Sequence, residues 1–325
     1  MPVPNQIQIG FIKPILDELL LRGVNADYFL SKANLDKISL HSLDSYLPAN
    51  NVYKFFALLD HRQGLSDIIS ELNSKLQIMS MGLWGEMASS TPGFLSTMFF
   101  TAKFDRVQLT HESISVKISG KTTSYSCCYE DSDLEGKEQV IDMVVAITLN
   151  FSKLVGGENW YPLEIHYPGK SLDSLKKILP DLNKTKVFLN QPVFSVVYPT
   201  SFLSKPLTNS NHSLNAILNH QSTHHSIHEI LCSNDNELMP TIDIISDQMD
   251  LPIRSLQRQL AQEGFSFSEI VDQWRMAKAF QLMEEPGLKN REVSALLKYS
   301  NHQAFERAFK RWTNTTPAQY REETV

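Results

Sequence analysis

Three groups of side chains have types and spacings that could do chemistry. Arg254, Gln257 and Arg258 stand at i, i+3 and i+4 in "IRSLQRQL", and Asn301, His302, Gln303, Glu306, Arg307, Lys310 and Arg311 fill one side of "SNHQAFERAFKRW". Arginine pairs bidentately with guanine, glutamine pairs with adenine, and lysine or arginine grips phosphate, so both groups suit the surface of a nucleic-acid duplex. The third group is His220, His224, His228 and Cys232, spaced four apart. On a continuous helix neighbouring members would share a face and could hold zinc or copper. The Ser and Thr residues around them argue against a continuous helix, so neither a metal nor another cofactor is expected. Cys127 and Cys128, adjacent on a strand, would point to opposite faces, one of them into the core.

The elements that must position these groups are helices. In the stretch beginning at Ser300, Ala304, Phe305, Ala308, Phe309 and Trp312 form one apolar stripe that goes inward and leaves the polar residues outside. Ser300 followed by Gln303 reads as a capping box that fixes the helix start. The stretch "TIDIISDQMDLPIRSLQRQLAQEG" gives Ile242, Ile245 and Met249 on one helix, a break at Asp250–Pro252, then Ile253, Leu256 and Leu260 on a second. "REVSALLKYSNHQAFERAFKRW" repeats this plan, with Val293, Leu296 and Leu297 before a break at Lys298–Ser300. Two short helices joined by a tight turn describe a helix-turn-helix, whose second helix lies in the major groove. Between the two pairs, "SFSEIVDQWRMAKAFQLM" reads as a long helix with Ile270, Val271, Trp274, Ala277 and Leu282 available for packing. Such a helix could hold the two reading helices about one turn of DNA apart.

The chain of 325 residues is long enough for two domains. Lys and Arg total 30 against 36 Asp and Glu, a net of −6, so no global positive field advertises nucleic acid. From Ser226 onward 11 basic residues face 15 acidic ones. Positive charge must therefore be concentrated on the reading face, and binding should be strongly salt-sensitive. Three cysteines with no CxxC pair argue for a reducing compartment. No run is read as long enough to span a bilayer, and a cytoplasmic location without membrane attachment is expected.

The first half mixes helical and strand periods. "FIKPILDELLLRG" and "NNVYKFFALLDHRQG" have helical spacing with Gly23 and Gly64 at their ends, and "KEQVIDMVVAITLNFSKLVGG" is an apolar helix closed by a double glycine. "DRVQLTHESISVKISG" is predicted to form a hairpin that pairs Val107 and Leu109 with Ile114, Val116 and Ile118, and "TSYSCCYE" would extend that sheet. "PLEIHYPG", "KVFLN" and "FSVVYP" read as short strands. The expected organisation is an α+β N-terminal sensor or dimerisation domain over 1–205, a linker over 206–225 containing one helical segment at Leu214, Ile217 and Leu218, and an all-α C-terminal domain over 226–325 with two helix-turn-helix units.

From about Ser226 to Tyr320 the chain resembles the DNA-binding domain of AraC/XylS-family transcription regulators, through "SLQRQLAQEGFSFSEIVDQWRMAKAFQLM" and "VSALLKYSNHQAFERAFKRWTNTTPAQYR". The resemblance implies base reading by Arg254, Gln257 and Arg258 in the first unit and by His302, Gln303 and Glu306 in the second. It also implies backbone grip by Arg307 and Lys310, with Arg311 beside them. Three positions depart from the family pattern. Pro252 stands where a Ser N-cap is usual, and Lys298 stands where Gly is usual before Tyr299. Glu306 would face phosphate unless it accepts from a cytosine amine. "LDSYLPANNVYKFFALL", "STPGFLSTMFFTAKF" and "NQPVFSVVYPTSFLSKPL" resemble the arabinose-binding-like sensor half of some members. That resemblance implies a small-molecule effector, of apolar or fatty-acid-like character. Composition allows an apolar pocket with Phe94, Met98, Phe99 and Phe100 as candidate lining, although aromatic residues at helical spacing more often pack in a core. Double-stranded promoter DNA is the expected partner, with RNA polymerase and a second copy of the chain as further candidates. The sequence has no GxSxG, GxxxxGK[ST], HExxH or GxGxxG motif, and no enzyme is expected. A hydrolase-like or metal- or redox-sensing N-terminal domain coupled to the same DNA-binding module is the alternative reading.

Overall fold

The structure is a computed structural model, which describes residues 5–35, 45–62, 65–89, 91, 93–129, 135–207, 223–233 and 241–323. Gly64, the segment Leu214–Leu218 and His220 lie outside the described residues.

In chain order the elements begin with β1 (Gln6–Gln8), α1 (Ile9–Leu21), α2 (Ala26–Lys32), β2 (Tyr46–Pro48), α3 (Ala49–Asp60) and α4 (Ser66–Asn73). Next come α5 (Gly82–Ser89), α6 (Phe94–Lys103), α7 (Asp105–Gln108), β3 (Glu112–Ser119) and β4 (Thr122–Tyr129). They continue with α8 (Lys137–Gly156), β5 (Glu164–His166), α9 (Asp173–Ile178), β6 (Lys186–Phe188) and β7 (Phe194–Pro199). After the described stretch resumes there are only helices: α10 (Thr223–Ser233), α11 (Ile242–Gln248), α12 (Ile253–Gln262), α13 (Phe267–Met283), α14 (Asn290–Leu296), α15 (His302–Thr313) and α16 (Pro317–Glu322). The chain divides into two compact units, one of Met1–Ser89, Met98–Val116 and Ser124–Tyr198, the other of Ser90–Thr97, Lys117–Thr123 and Pro199–Val325.

The first unit is α+β. Its five-stranded sheet has the order β3-β4-β7-β5-β6, with β5 parallel to β6 and antiparallel to β7, so Ile165 faces Val187 on one side and Val196 on the other. The three short strands expected from "PLEIHYPG", "KVFLN" and "FSVVYP" are β5, β6 and β7. The expected hairpin is displaced. Asp105–Gln108 is a helical turn, Leu109 bridges to Ile7, and Ile114, Val116 and Ile118 lie on β3, whose neighbour in the sheet is β4. The Asp105 carboxylate accepts from the Arg106 amide at 2.7 Å and from the Ile114 amide at 3.1 Å. These bonds close a helical turn where the alternation alone suggested a strand.

Helix α8 runs the full length read from the sequence, and Gly157 ends it with a φ of 89°. Its 20 residues, with a mean hydropathy of 1.3 over the most apolar 18-residue window, are long and apolar enough by length and composition to cross a membrane, which corrects the reading that no such run exists. Twelve of them, including Val140, Val144, Ile147, Leu149 and Phe151, are buried inside the protein. Asn150 donates to the carbonyls of Asn73 and Leu76 at 2.8 Å each, polar contacts that suit a protein core.

In the second unit α13, α15 and α16 share one aromatic core. Phe309 lies 5.6 Å from Phe305, 6.2 Å from Phe280, 5.3 Å from Tyr320 and 6.4 Å from Trp312, ring centre to ring centre. The buried stripe of α13 is Ile270, Met276, Ala279, Phe280 and Met283. Of the residues read from sequence only Ile270 is fully enclosed, while Val271, Trp274, Ala277 and Leu282 are half-buried. Large apolar groups on neighbouring sides of this helix leave its inward face undetermined until α15 and α16 are packed against it. Phe94, Met98 and Phe100, the candidate pocket lining, are buried, and Phe99 is half-buried. Phe94 meets Phe202 edge-on at 4.8 Å, and Phe100 lies 6.2 Å from Trp84 and 4.9 Å from Phe104. Aromatic residues at helical spacing pack against one another before they leave an empty space.

Candidate nucleic-acid interface

The two helix pairs α11–α12 and α14–α15 share a construction that can be followed residue by residue. Each first helix ends in a residue with left-handed backbone, Asp250 (φ 50°) in one and Lys298 (φ 57°) in the other. Each carries a buried serine four residues before it, Ser246 or Ser294. The Ser246 hydroxyl donates to the Leu251 carbonyl, and the Ser294 hydroxyl to the Asn301 carbonyl at 3.4 Å. These serines tie the first helix to the turn, a role that no local pattern reveals because the acceptor lies beyond the break. The turn is one residue longer in the second pair, where the N-cap is Asn301 rather than the counterpart of Pro252. Leu256 and Leu260 of α12 therefore correspond to Phe305 and Phe309 of α15.

The same shift aligns the outer faces. Arg254, Gln257 and Arg258 correspond to Gln303, Glu306 and Arg307, at i, i+3 and i+4 on each helix. Arg254, Gln257, Arg258, Gln303, Arg307 and Lys310 are exposed, whereas His302 and Glu306 are half-buried. His302 Nε2 approaches Glu306 Oε1 to 3.4 Å, so a protonated imidazole can answer the carboxylate on this face. Arg311 leaves the group. Its Nη2 donates to both oxygens of Asp272, on α13, at 2.7 and 2.9 Å.

The start of α15 differs from the capping box read at Ser300 and Gln303. The N-cap is Asn301, whose side chain accepts from the Ala304 amide at 2.8 Å. Left-handed Lys298 sets a three-step turn before the helix, which brings the short Asn301 side chain rather than Ser300 to the first free amides. Pro252 provides no side-chain cap for α12. Lys298 is confirmed as left-handed where only glycine escapes the steric penalty.

Of the histidine group, His224 and His228 lie on α10, which is continuous over Thr223–Ser233 in spite of its Ser and Thr content. The Glu263 carboxylate accepts from the Thr223 and His224 amides at 2.7 and 2.9 Å and so holds the helix start. The His224 ring stacks on Phe265 at 4.3 Å. Among the described residues no group of three or more His, Cys, Asp or Glu could hold a metal ion. Cys127 is buried and Cys128 exposed, as adjacent strand positions require. Within the second unit a cleft of about 510 Å³ is lined by Leu95, Lys205, His228, Trp274 and Lys278, among others.

The helices that carry these features define a protein class. Residues 245–323 match the profile of a family described as a helix-turn-helix domain. The chain is similar to the HTH-type transcriptional regulator VirS of Mycobacterium tuberculosis, 39% identical over 88 residues that make up 26% of each chain. HTH-type transcriptional regulator VqsM of Pseudomonas aeruginosa is 27% identical over 142 residues, 43% of this chain and 41% of that one. The chain thus spans well under half the length of these relatives. They are transcriptional regulators rather than enzymes. A crystal structure of the transcriptional regulator CdpR from Pseudomonas aeruginosa superposes with a TM-score of 0.45 at 17% identity, covering 97% of this chain and 98% of that one.

Proposed function

We propose that the protein is a sequence-specific, DNA-binding transcription regulator of the AraC type, and that both helix pairs are helix-turn-helix units with α12 and α15 as reading helices. The observation that carries this reading is the repeated polar triad, Arg254/Gln257/Arg258 and Gln303/Glu306/Arg307, presented at the same helical spacing after a left-handed residue. Arg254 and Gln257 read base edges, and Gln303 reads the second segment. His302 and Glu306 act as a pair there, with Glu306 accepting from a cytosine amine. Arg307 and Lys310 contact phosphates, and Arg311 is committed to the fold through Asp272. The protein works in the cytoplasm, where its promoter DNA is.

The sensing function is assigned to a small amphiphilic anion bound in the cleft at Lys205 and Lys278. Two ammonium groups there can meet a carboxylate, and Leu95 and Trp274 offer apolar wall to its body. Selection of the full chain on a randomised duplex library tests the DNA reading: a recurrent sequence enriched over successive rounds is expected, and a pool that stays random overturns it. A thermal shift by medium-chain carboxylates that disappears in Lys205→Met with Lys278→Met tests the effector reading.

A further inference from the structure

The carboxylate of Asp272 is the meeting point of three hydrogen bonds from two donors. Besides the two bonds from Arg311 Nη2, the Trp312 indole Nε1 donates to Oδ2 at 3.1 Å. The Arg311 guanidinium also lies 5.9 Å from the Trp312 ring centre, which closes the triad. One turn along α13, the Arg275 guanidinium lies over the Tyr299 ring at 4.9 Å. Tyr299 follows left-handed Lys298 in the turn that leads into α15. Helix α13 therefore holds α15 at both ends, by Arg275 at its entry and by Asp272 at its exit. Burial pushes the Tyr299 hydroxyl up to about 12, and the nearby charges of Arg275, Asp272 and Arg311 all act on it.

The start of α13 is tied to α12. Gly264 (φ 80°) makes the turn, and the Phe265 amide donates to the Leu260 carbonyl at 2.8 Å. The Ser266 capping box with Glu269 then starts α13 directly. A short mechanical path results, from α12 through this turn and the first part of α13 to Asp272, and from there to α15.

Arg311 and Asp272 are 62% and 40% exposed as side chains, and ion pairs this open add little to stability. What three bonds on one carboxylate do supply is orientation. We propose that Asp272 is a positioning residue that sets the placement of α15 against α13, and through it the spacing along a duplex of the two segments read by α12 and α15. The proposal rests on the reading that both helix pairs contact DNA.

The test uses the full chain and the duplex enriched from a randomised library, with its protected segments located by footprinting. Companion duplexes carry one base pair inserted or removed between the segments, which turns the far one by about a tenth of a helical turn. Wild type is expected to prefer the original spacing. Asp272→Ala and the near-isosteric Asp272→Asn should lose about fivefold on the original spacing, the scale of one exposed charge-assisted contact, and should lose most of the penalty for the altered spacings. Both should keep wild-type thermal unfolding and wild-type affinity for each segment alone. The exchange Asp272→Arg with Arg311→Asp should restore the part of the spacing preference carried by the ion pair, but not the part carried by the Trp312 indole, which loses its acceptor. Two protected segments with an unchanged spacing preference in folded Asp272→Asn overturn the proposal and leave the DNA reading intact. Protection of a single segment in wild type overturns both.

Discussion

Asp250 and Lys298, 48 positions apart, hold the same left-handed backbone at the end of the first helix of their pairs. An aspartate tolerates that conformation through local hydrogen bonding, whereas a lysine bears the full clash of its Cβ with the following carbonyl. Lys298→Gly should therefore stabilise the second unit by about 1 kcal/mol, measured by urea unfolding, with a smaller gain for Asp250→Gly. A loss of stability in Lys298→Gly would show that its side chain makes a contact worth more than the strain.

The two faces of α15 should fail differently. Phe309 is fully buried among Phe280, Phe305, Trp312 and Tyr320, and Phe309→Ala should cost about 3–5 kcal/mol, enough to melt the surrounding helices. Lys310 is exposed on the opposite side. Lys310→Ala should leave thermal unfolding unchanged while lowering the magnitude of the log–log salt slope of DNA binding by about one phosphate contact. Melting in Lys310→Ala would mean the helix faces the other way.

The first unit should lose stability as pH rises. Glu112 is 3% exposed, and burial pushes its carboxyl from 4.5 to about 7, with the Asp105 charge adding to the rise and Tyr129 and Cys127 opposing it. A folded-state value above the unfolded one contributes stability that is fully present below pH 4.5 and is lost as pH rises through 7. Glu112→Gln should remove that loss, leaving the variant more stable than wild type at pH 8 by up to about 3 kcal/mol and nearly equal to it at pH 4. Parallel pH profiles for the two proteins would contradict this.

Where the sequence can be read depends on how local the cause is. Helix α8, strands β5 to β7 and both helix pairs were legible because their apolar spacing and flanking glycines act within one element. The strand expected at Val107 was lost to Asp105, whose side chain binds the Ile114 amide nine residues on. The inward face of α13 and the partner of Arg311 depend on helices brought together only by folding, so Asp272 looks like any surface acid in the sequence. The phenylalanines of α6 were legible as apolar and suited to a core, but their partners Phe202, Trp84 and Phe104 are set by folding and were not.

Base preference measured position by position on the enriched duplex, for wild type, Arg254→Ala and Gln303→Ala, bears most directly on the two-unit account. Two segments of preference about one helical turn apart are expected in wild type. Arg254→Ala should flatten the preference at one position of one segment by about 1–3 kcal/mol, and Gln303→Ala should do the same in the other segment alone. Equal losses on enriched and scrambled duplex for Arg254→Ala, or both variants acting on the same segment, would contradict it.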